Sequence, residues 1–290
     1  MFERILLPLD GSPLAEEAVP YAEEMATRMG SEITLIHICS PKDKEVHKMH
    51  RLYIEKMAEI MQKRLKVKVK SQHFIGDLAG KVCDYVNQND IGLVIMTAHG
   101  RSKLRVRLLG NRVDGIFRLV SCPTMLIQTV DTRTTRCAGG CFHNIMLSLD
   151  GTKIGEAALP VAEALAKGLG VKLTLFQMAK ESQYTKSEDD IIGDTGLKDD
   201  ELNAAEIELV KAYLGGIKEK LQSKGIEVAS IVTIGNDPAK ESTKVANEVK
   251  ADLQVMASRG HLPVTAWAPN SIAHKLLNTS DIPLMVVKSP

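Results

Sequence analysis

The chain is one unit written twice. Residues 5–38 read ILLPLDGSPLAEEAVPYAEEMATRMGSEITLIHI and residues 145–178 read IMLSLDGTKIGEAALPVAEALAKGLGVKLTLFQM; 14 of these 34 positions are identical without a gap, among them Asp10/Asp150, Gly11/Gly151, Pro20/Pro160 and Gly30/Gly170. Further along, Leu93-Val-Ile-Met96 answers to Leu253-Gln-Val-Met256, Gly100 to Gly260, and Cys122-Pro123 to Ile282-Pro283. A length of 290 residues suits two domains of roughly 150 residues, each able to bury its own core. The repeat therefore predicts domains over 1–130 and 142–290. They are joined by a Thr-, Arg- and Gly-bearing linker at 131–141. The offset between copies grows by about 20 residues, and the polar, acidic stretch 179–203 holds the surplus. It reads as a loop or lid on the second copy.

Within each copy apolar runs alternate with helical periodicity. In copy one, strands are predicted at 5–9, 33–38, 67–74, 91–97 and 124–128. Helices are predicted from Pro13 to Gly30, over 42–65, over 77–88 and from Asn111. Five strands separated by helices make a doubly wound parallel α/β sheet, so the fold class is two such five-stranded sheets in tandem. Ligands of these sheets bind beyond the carboxyl ends of the strands, where strand order reverses. The loops after strands one, two and four are the places to look.

Composition removes several function classes. Lys plus Arg (37) nearly balances Asp plus Glu (36), and aromatic content is only 4%. This argues against a dedicated nucleic-acid or membrane-surface binder, and the basic run Arg101–Arg107 lacks aromatics for base stacking. No apolar run approaches the roughly 20 residues of a membrane span, and the opening residues are not a secretory signal. Five cysteines, odd in number, fit reduced thiols in a cytoplasmic protein. Catalysis has no motif behind it: there is no G-x-S-x-G, no H-E-x-x-H and no G-x4-G-K-[ST] loop.

After strand four, copy one reads MTAHGRSKLRVRLLGNRVDGIF, with the spacing Thr97-x2-Gly100-x9-Gly110-Asn111. Glycines there would let the backbone approach phosphate oxygens, and a helix opening beside them would present free N–H groups to an anion. Together with the PLDGS turn, the LIHI strand end, the VIMTAHG segment and the Cys-Pro before the last strand, this spacing resembles the universal stress protein family in both halves. In ATP-binding members the pattern is G-x2-G-x9-G-(S/T). The resemblance implies a Rossmann-like fold of the adenine nucleotide alpha hydrolase type and pairing of last-strand edges between the copies. It also implies an ATP or AMP site, with or without Mg. In copy one that site would comprise Pro8, Leu9, Asp10, Ile38, Met96, Thr97, Gly100, Arg101, Gly110, Asn111, Arg112 and Val113. Asp10 would meet the ribose or a metal-phosphate, although the residues allow equally that it caps the following helix.

Both copies depart from the pattern. Copy one has Thr97 for the first glycine and Asn111 for the hydroxyl; the β-branched Thr97 predicts crowding. Copy two reads Ala257-x2-Gly260-x9-Asn270-Ser271, and its loop carries Pro263, Trp267 and Pro269. Its site, Asp150, Met178, Gly260, Asn270 and Ser271, reads as degenerate. Two further groups hold potential ligands. Cys137-x3-Cys141-x-His143 could supply three to a metal, and reads instead as unpaired or redox-sensitive linker thiols, a reversible disulfide being disfavoured by a cytosolic setting. His47 and His50 share a helix face with Lys42, Lys44, Lys48 and Arg51, and read as a solvated face rather than a metal site. No metal cofactor is expected.

The sequence thus points to a stress-responsive adenine-nucleotide-binding regulator with its site in copy one. The alternative is a nucleotide-independent interaction module, and a slow ATPase ranks third. A paired arrangement of the two copies, a further homodimer and an unidentified protein partner complete the expectation.

Overall fold

The computed structural model describes residues 1–41, 46–98, 111–128, 137, 139–181, 199–259 and 271–289, with the backbone alone at 111–114, 199 and 259. Copy one runs β1 (Arg4–Pro8), α1 (Pro13–Glu16), α2 (Val19–Met29), β2 (Glu32–Cys39), α3 (His47–Arg64), β3 (Val69–Ile75), α4 (Leu78–Gln88), β4 (Leu93–Thr97), α5 (Asn111–Leu119) and β5 (Thr124–Ile127). Copy two repeats it as β6 (Asn144–Leu149), α6 (Lys153–Glu156), α7 (Leu159–Leu169), β7 (Lys172–Lys180), α8 (Asp199–Gln222), β8 (Val228–Gly235), α9 (Pro238–Glu248), β9 (Leu253–Arg259), α10 (Ile272–Thr279) and β10 (Leu284–Ser289).

Strands β4 and β5 are buried at every position, as a parallel sheet covered on both faces requires. Pairing within each copy is parallel. The whole order is β3-β2-β1-β4-β5-β10-β9-β6-β7-β8, one sheet of ten strands. The copies join where β5 and β10 pair antiparallel, Met125 facing Met285. The last-strand pairing implied by the resemblance is therefore present, and it leaves neither final strand as an open edge. Winding reverses between β1 and β4 and between β6 and β9.

Further contacts hold the copies together. Helix α2 packs against α7. Phe142, 1% exposed, meets Tyr21 edge to face with ring centres 5.8 Å apart. Arg28 donates to the Phe142 carbonyl at 3.2 Å, and the Cys141 amide donates to Glu24. At the sheet's middle, Lys288 of β10 donates to the carbonyls of Arg118 (2.9 Å) and Val120 (2.5 Å) at the end of α5. A cation there satisfies carbonyls that the helix leaves unpaired; burial nonetheless pulls the Lys288 ammonium below its ordinary pKa.

Four local expectations are corrected. The predicted helix from Pro13 to Gly30 is two, broken at Glu17–Ala18. Pro20 has no N–H to continue the ladder and its ring crowds the carbonyl four residues back. Gly30 does end α2, in the left-handed conformation at φ 72°. The helix predicted over 42–65 spans His47–Arg64, with 42–45 outside the described residues. The stretch 179–203 is not all loop: Ala179 and Lys180 finish β7, Asp199 opens the 24-residue α8, and 182–198 lie outside the described residues. Cys137 and Cys141 are not separate thiols but a disulfide. Gly139 and Gly140, at φ 98° and 119°, turn the chain so that the two Cα atoms stand 4.4 Å apart. The paired sulfurs cannot serve as metal ligands. Among the described residues no helix is long and apolar enough to cross a membrane.

Candidate functional site

The site is built from the turns at the carboxyl ends of the strands. After β1, the carboxylate oxygen Oδ1 of Asp10 accepts from the Ser12 amide (3.0 Å) and hydroxyl (2.6 Å). Ser12 Oγ in turn accepts from the Ala15 amide and caps α1. Copy two repeats this: Asp150 Oδ1 accepts from the Thr152 amide (2.9 Å) and hydroxyl (2.7 Å), and Thr152 caps α6. Gly11 and Gly151, at φ 78° and 74°, make the turn at no steric cost. The caps are thus Ser12 and Thr152 rather than Asp10 and Asp150, each of which braces its capping residue through Oδ1.

Copy two opens into a cleft of about 450 Å³ at its reversal point. Leu149 and Asp150 reach it from β6, Phe176 and Met178 from β7, Met256 to Ser258 from β9. Ser271, Ile272 and Ala273 reach it from the start of α10. Ser271 Oγ accepts from the His274 amide at 3.2 Å and caps α10, whose first turn holds no acidic residue. Three of the five residues expected for the second site, Asp150, Met178 and Ser271, therefore line one cleft; Gly260 and Asn270 lie outside the described residues. Ser148 and Ser242 on the cleft lining begin a hydrogen-bond chain that runs inward through Gln254 to Ser280. On the opposite face of β7 from Phe176 and Met178, the buried Gln177 carries an Oε1 with no hydrogen-bond partner among the described residues.

In copy one, Pro8, Leu9, Asp10, Ile38, Met96 and Thr97 come to the ends of β1, β2 and β4, and Asn111, Arg112 and Val113 form the first turn of α5. Gly100, Arg101 and Gly110 lie outside the described residues. Thr97 is the last residue of β4, buried and paired with Ile127. Its counterpart Ala257 lies on the wall of the copy-two cleft.

The end of β2 differs more. His47 and His50 do not form a solvated face: His47 Nε2 is 3.1 Å from the Ser40 carbonyl oxygen and His50 Nδ1 is 3.1 Å from Cys39 Sγ. His37 and Cys39 on β2 and His73 on β3 complete this cluster, and sequence reasoning missed them as a group. The signal was the alternation His37-x-Cys39, which puts both side chains on one face of a strand. Below it, Tyr53 donates to Glu16 at 2.8 Å, as Tyr213 does to Glu156 at 3.0 Å. Burial first, and then these bonds to carboxylates, raise both phenol pKa values.

A second cleft, of about 340 Å³, lies at the amino ends of β1 to β3, where Glu32 is ion-paired with Lys68 and Lys70. It lies at the strand ends opposite the reversal point, and among the described residues no helix start lines it.

Comparison with known proteins gives a consistent picture. The model of the Universal stress protein family matches residues 1–128 and 142–288. "Universal stress protein YxiE" of Bacillus subtilis is 27% identical over 150 residues, 51% of this chain and 99% of that protein. "Universal stress protein Rv2623" of Mycobacterium tuberculosis is 21% identical over 300 residues, 98% of this chain and 96% of that one. The crystal structure of a universal stress protein from Archaeoglobus fulgidus superposes with a TM-score of 0.77 at 18% identity, covering 99% of both chains. That last likeness is one of fold.

Proposed function

The chain belongs to the universal stress protein family, and from that premise we propose that it is a stress-responsive regulator that binds an adenine nucleotide, ATP or AMP, and changes its contacts with a protein partner on binding. The observation that carries this reading is the copy-two cleft. Its volume of about 450 Å³ falls within the range of small-molecule sites. Its parts suit the parts of a nucleotide. Phe176, Met178 and Met256 offer an apolar bed for a base. The second oxygen of Asp150, which lines the cleft, is available to a ribose hydroxyl. The amino end of α10 presents backbone N–H groups without a competing carboxylate, as phosphate recognition requires. Magnesium would accompany a triphosphate there.

The loop glycines Gly100 and Gly110 favour copy one as the site; the described geometry favours copy two. Purified protein is heat-extracted for bound nucleotide, then titrated with ATP and AMP by calorimetry, beside Ala257→Trp and Gly110→Trp. The expected result is micromolar binding that Ala257→Trp abolishes and Gly110→Trp retains. Loss in Gly110→Trp alone moves the site to copy one. No co-purified nucleotide and no heat at millimolar ATP would overturn the reading and leave a nucleotide-independent interaction module.

A further inference from the structure

At the end of β2 three imidazoles surround one thiol. Cys39 Sγ lies 3.1 Å from His50 Nδ1 and 3.3 Å from His73 Nε2. The ligand atoms of His37, Cys39 and His50 all lie within 4.8 Å of one another. We propose that His37, Cys39 and His50, with His73 closing the fourth position, form a transition-metal site of the kind that takes Zn²⁺, in copy one alone.

The fold makes this convergence. His37 and Cys39 share one face of β2, and His73 is the register partner of His37 on β3, its ring stacked 5.8 Å away. His50 comes down on the same face from α3, its ring centre 4.6 Å from that of His37. His37 Nδ1 is 2.6 Å from the Leu9 carbonyl oxygen, to which it donates, so Nε2 carries the lone pair. A backbone carbonyl fixing the tautomer of a histidine in this way is the usual outer support of a metal ligand. Tetrahedral Zn²⁺ with bonds of about 2.0–2.3 Å holds its ligand atoms roughly 3.3–3.7 Å apart. The two sulfur–nitrogen distances are already near that, and side-chain rotation of about an ångström brings in the rest. His37 and Cys39 are 2% and 3% exposed, so water does not compete for their donor atoms.

A divalent ion placed among these side chains would be met by the sulfur and the nitrogen lone pairs together. Binding converts one Cys–SH and neutral imidazoles into a thiolate complex and releases one proton to solvent. One thiolate with imidazoles selects a borderline metal such as Zn²⁺ over Mg²⁺ or Ca²⁺.

Copy two is the internal comparison. The Tyr53–Glu16 and Tyr213–Glu156 bonds set α3 and α8 in equivalent frames. His50 then corresponds to Val210, while His37, Cys39 and His73 correspond to Gln177, Ala179 and Val232, of which Gln177 and Val232 are themselves register partners. None of these four copy-two residues is a cysteine or a histidine. The four ligand-type side chains are specific to one copy.

The test uses the full chain under a phosphine reductant, stripped with chelator, with Cys137→Ser/Cys141→Ser as background so that the loop thiols are absent. Co²⁺ is titrated by absorbance, and Zn²⁺ by competition with a chromophoric chelator. The expected result is one ion per chain, with a thiolate-to-cobalt charge-transfer band and the strong visible bands of a tetrahedral ion. Cys39→Ser removes the charge-transfer band and weakens Zn²⁺ on the order of 100-fold or more. His50→Gln, at a half-buried position that tolerates change, weakens Zn²⁺ comparably and keeps the band; Cys83→Ser alters neither. Circular dichroism checks folding, and His50→Gln decides if Cys39→Ser does not fold. The proposal fails if the background protein binds no metal, or if folded His50→Gln or Cys39→Ser binds Zn²⁺ as before.

Discussion

At the lip of the sheet the two copies have parted company while their frames have not. Copy one ends its second strand in His37 and Cys39 under His50 and its fourth in Thr97; copy two has Gln177, Ala179, Val210 and Ala257 at the same places, and Ala257 lines a cleft. Beneath both lips the aspartate turn, the glycine cap and the tyrosine–glutamate bond recur nearly atom for atom. The difference teaches that the turn chemistry and the strand register carry the fold, and that the strand-end side chains are free to change once a second copy is always at hand. One sheet of ten strands keeps the halves in a fixed relation whatever each lip binds.

The largest effect separating the copies is expected at their junction. Phe142 and its counterpart Phe2 both precede a first strand and both are buried, but only Phe142 has the edge contact with Tyr21. Phe142→Ala is expected to lose about 3–5 kcal/mol in urea melts. Phe2→Ala should lose less, by about 0.5–1.5 kcal/mol for the missing aromatic pair. Equal losses would mean that Tyr21 adds nothing to the join. Next comes Gly155 against Ala15, the same helical position in each copy. A Cβ at Gly155 would strike Asp150 Oδ1, which Thr152 pins in place. Gly155→Ala should therefore destabilise by about 1–3 kcal/mol despite alanine's helix preference. Ala15→Gly should cost about 0.5–1 kcal/mol through helix propensity alone. A stabilised Gly155→Ala would show that the two turns are not built alike.

Smaller still is a symmetric effect. Tyr53→Phe and Tyr213→Phe each remove one bond to a carboxylate and are each expected to cost about 1 kcal/mol near neutral pH. Burial and the acceptor glutamates hold both phenols protonated beyond their ordinary pKa of 10.0. The unfolded chain ionises first. This stability is therefore fully present below about pH 10 and falls as pH rises past it. Urea midpoints at about pH 9 and about pH 11 should converge for the double variant and separate for the parent. A pH response from one tyrosine only would break the equivalence of the two frames.

Much of this was legible in the sequence, because it is local. The repeat, the strand and helix alternation, the aspartate turns and Gly30 as a helix stop rest on residues within a few positions of each other. The break at Glu17–Ala18 was written in Pro20 and masked by a helical spacing that runs straight through it. The metal-type cluster draws on β2, β3 and α3, and no local window holds His37, His50 and His73 together. The cleft gathers residues from the ends of β6, β7, β9 and the start of α10, and only the assembled sheet shows that Asp150, Met178 and Ser271 line it together. The disulfide was read away from its residues by an argument about compartment; two adjacent glycines, not composition, decided it.

Hydrogen exchange read by mass spectrometry, with and without saturating ATP, bears most directly on the claim that the copies have divided their chemistry. The account expects protection at the end of β6, in α6 and in the first turn of α10, and none at the corresponding Pro8–Glu16 and α5 segments of copy one. Protection confined to those copy-one segments, or protection in neither copy, would contradict it.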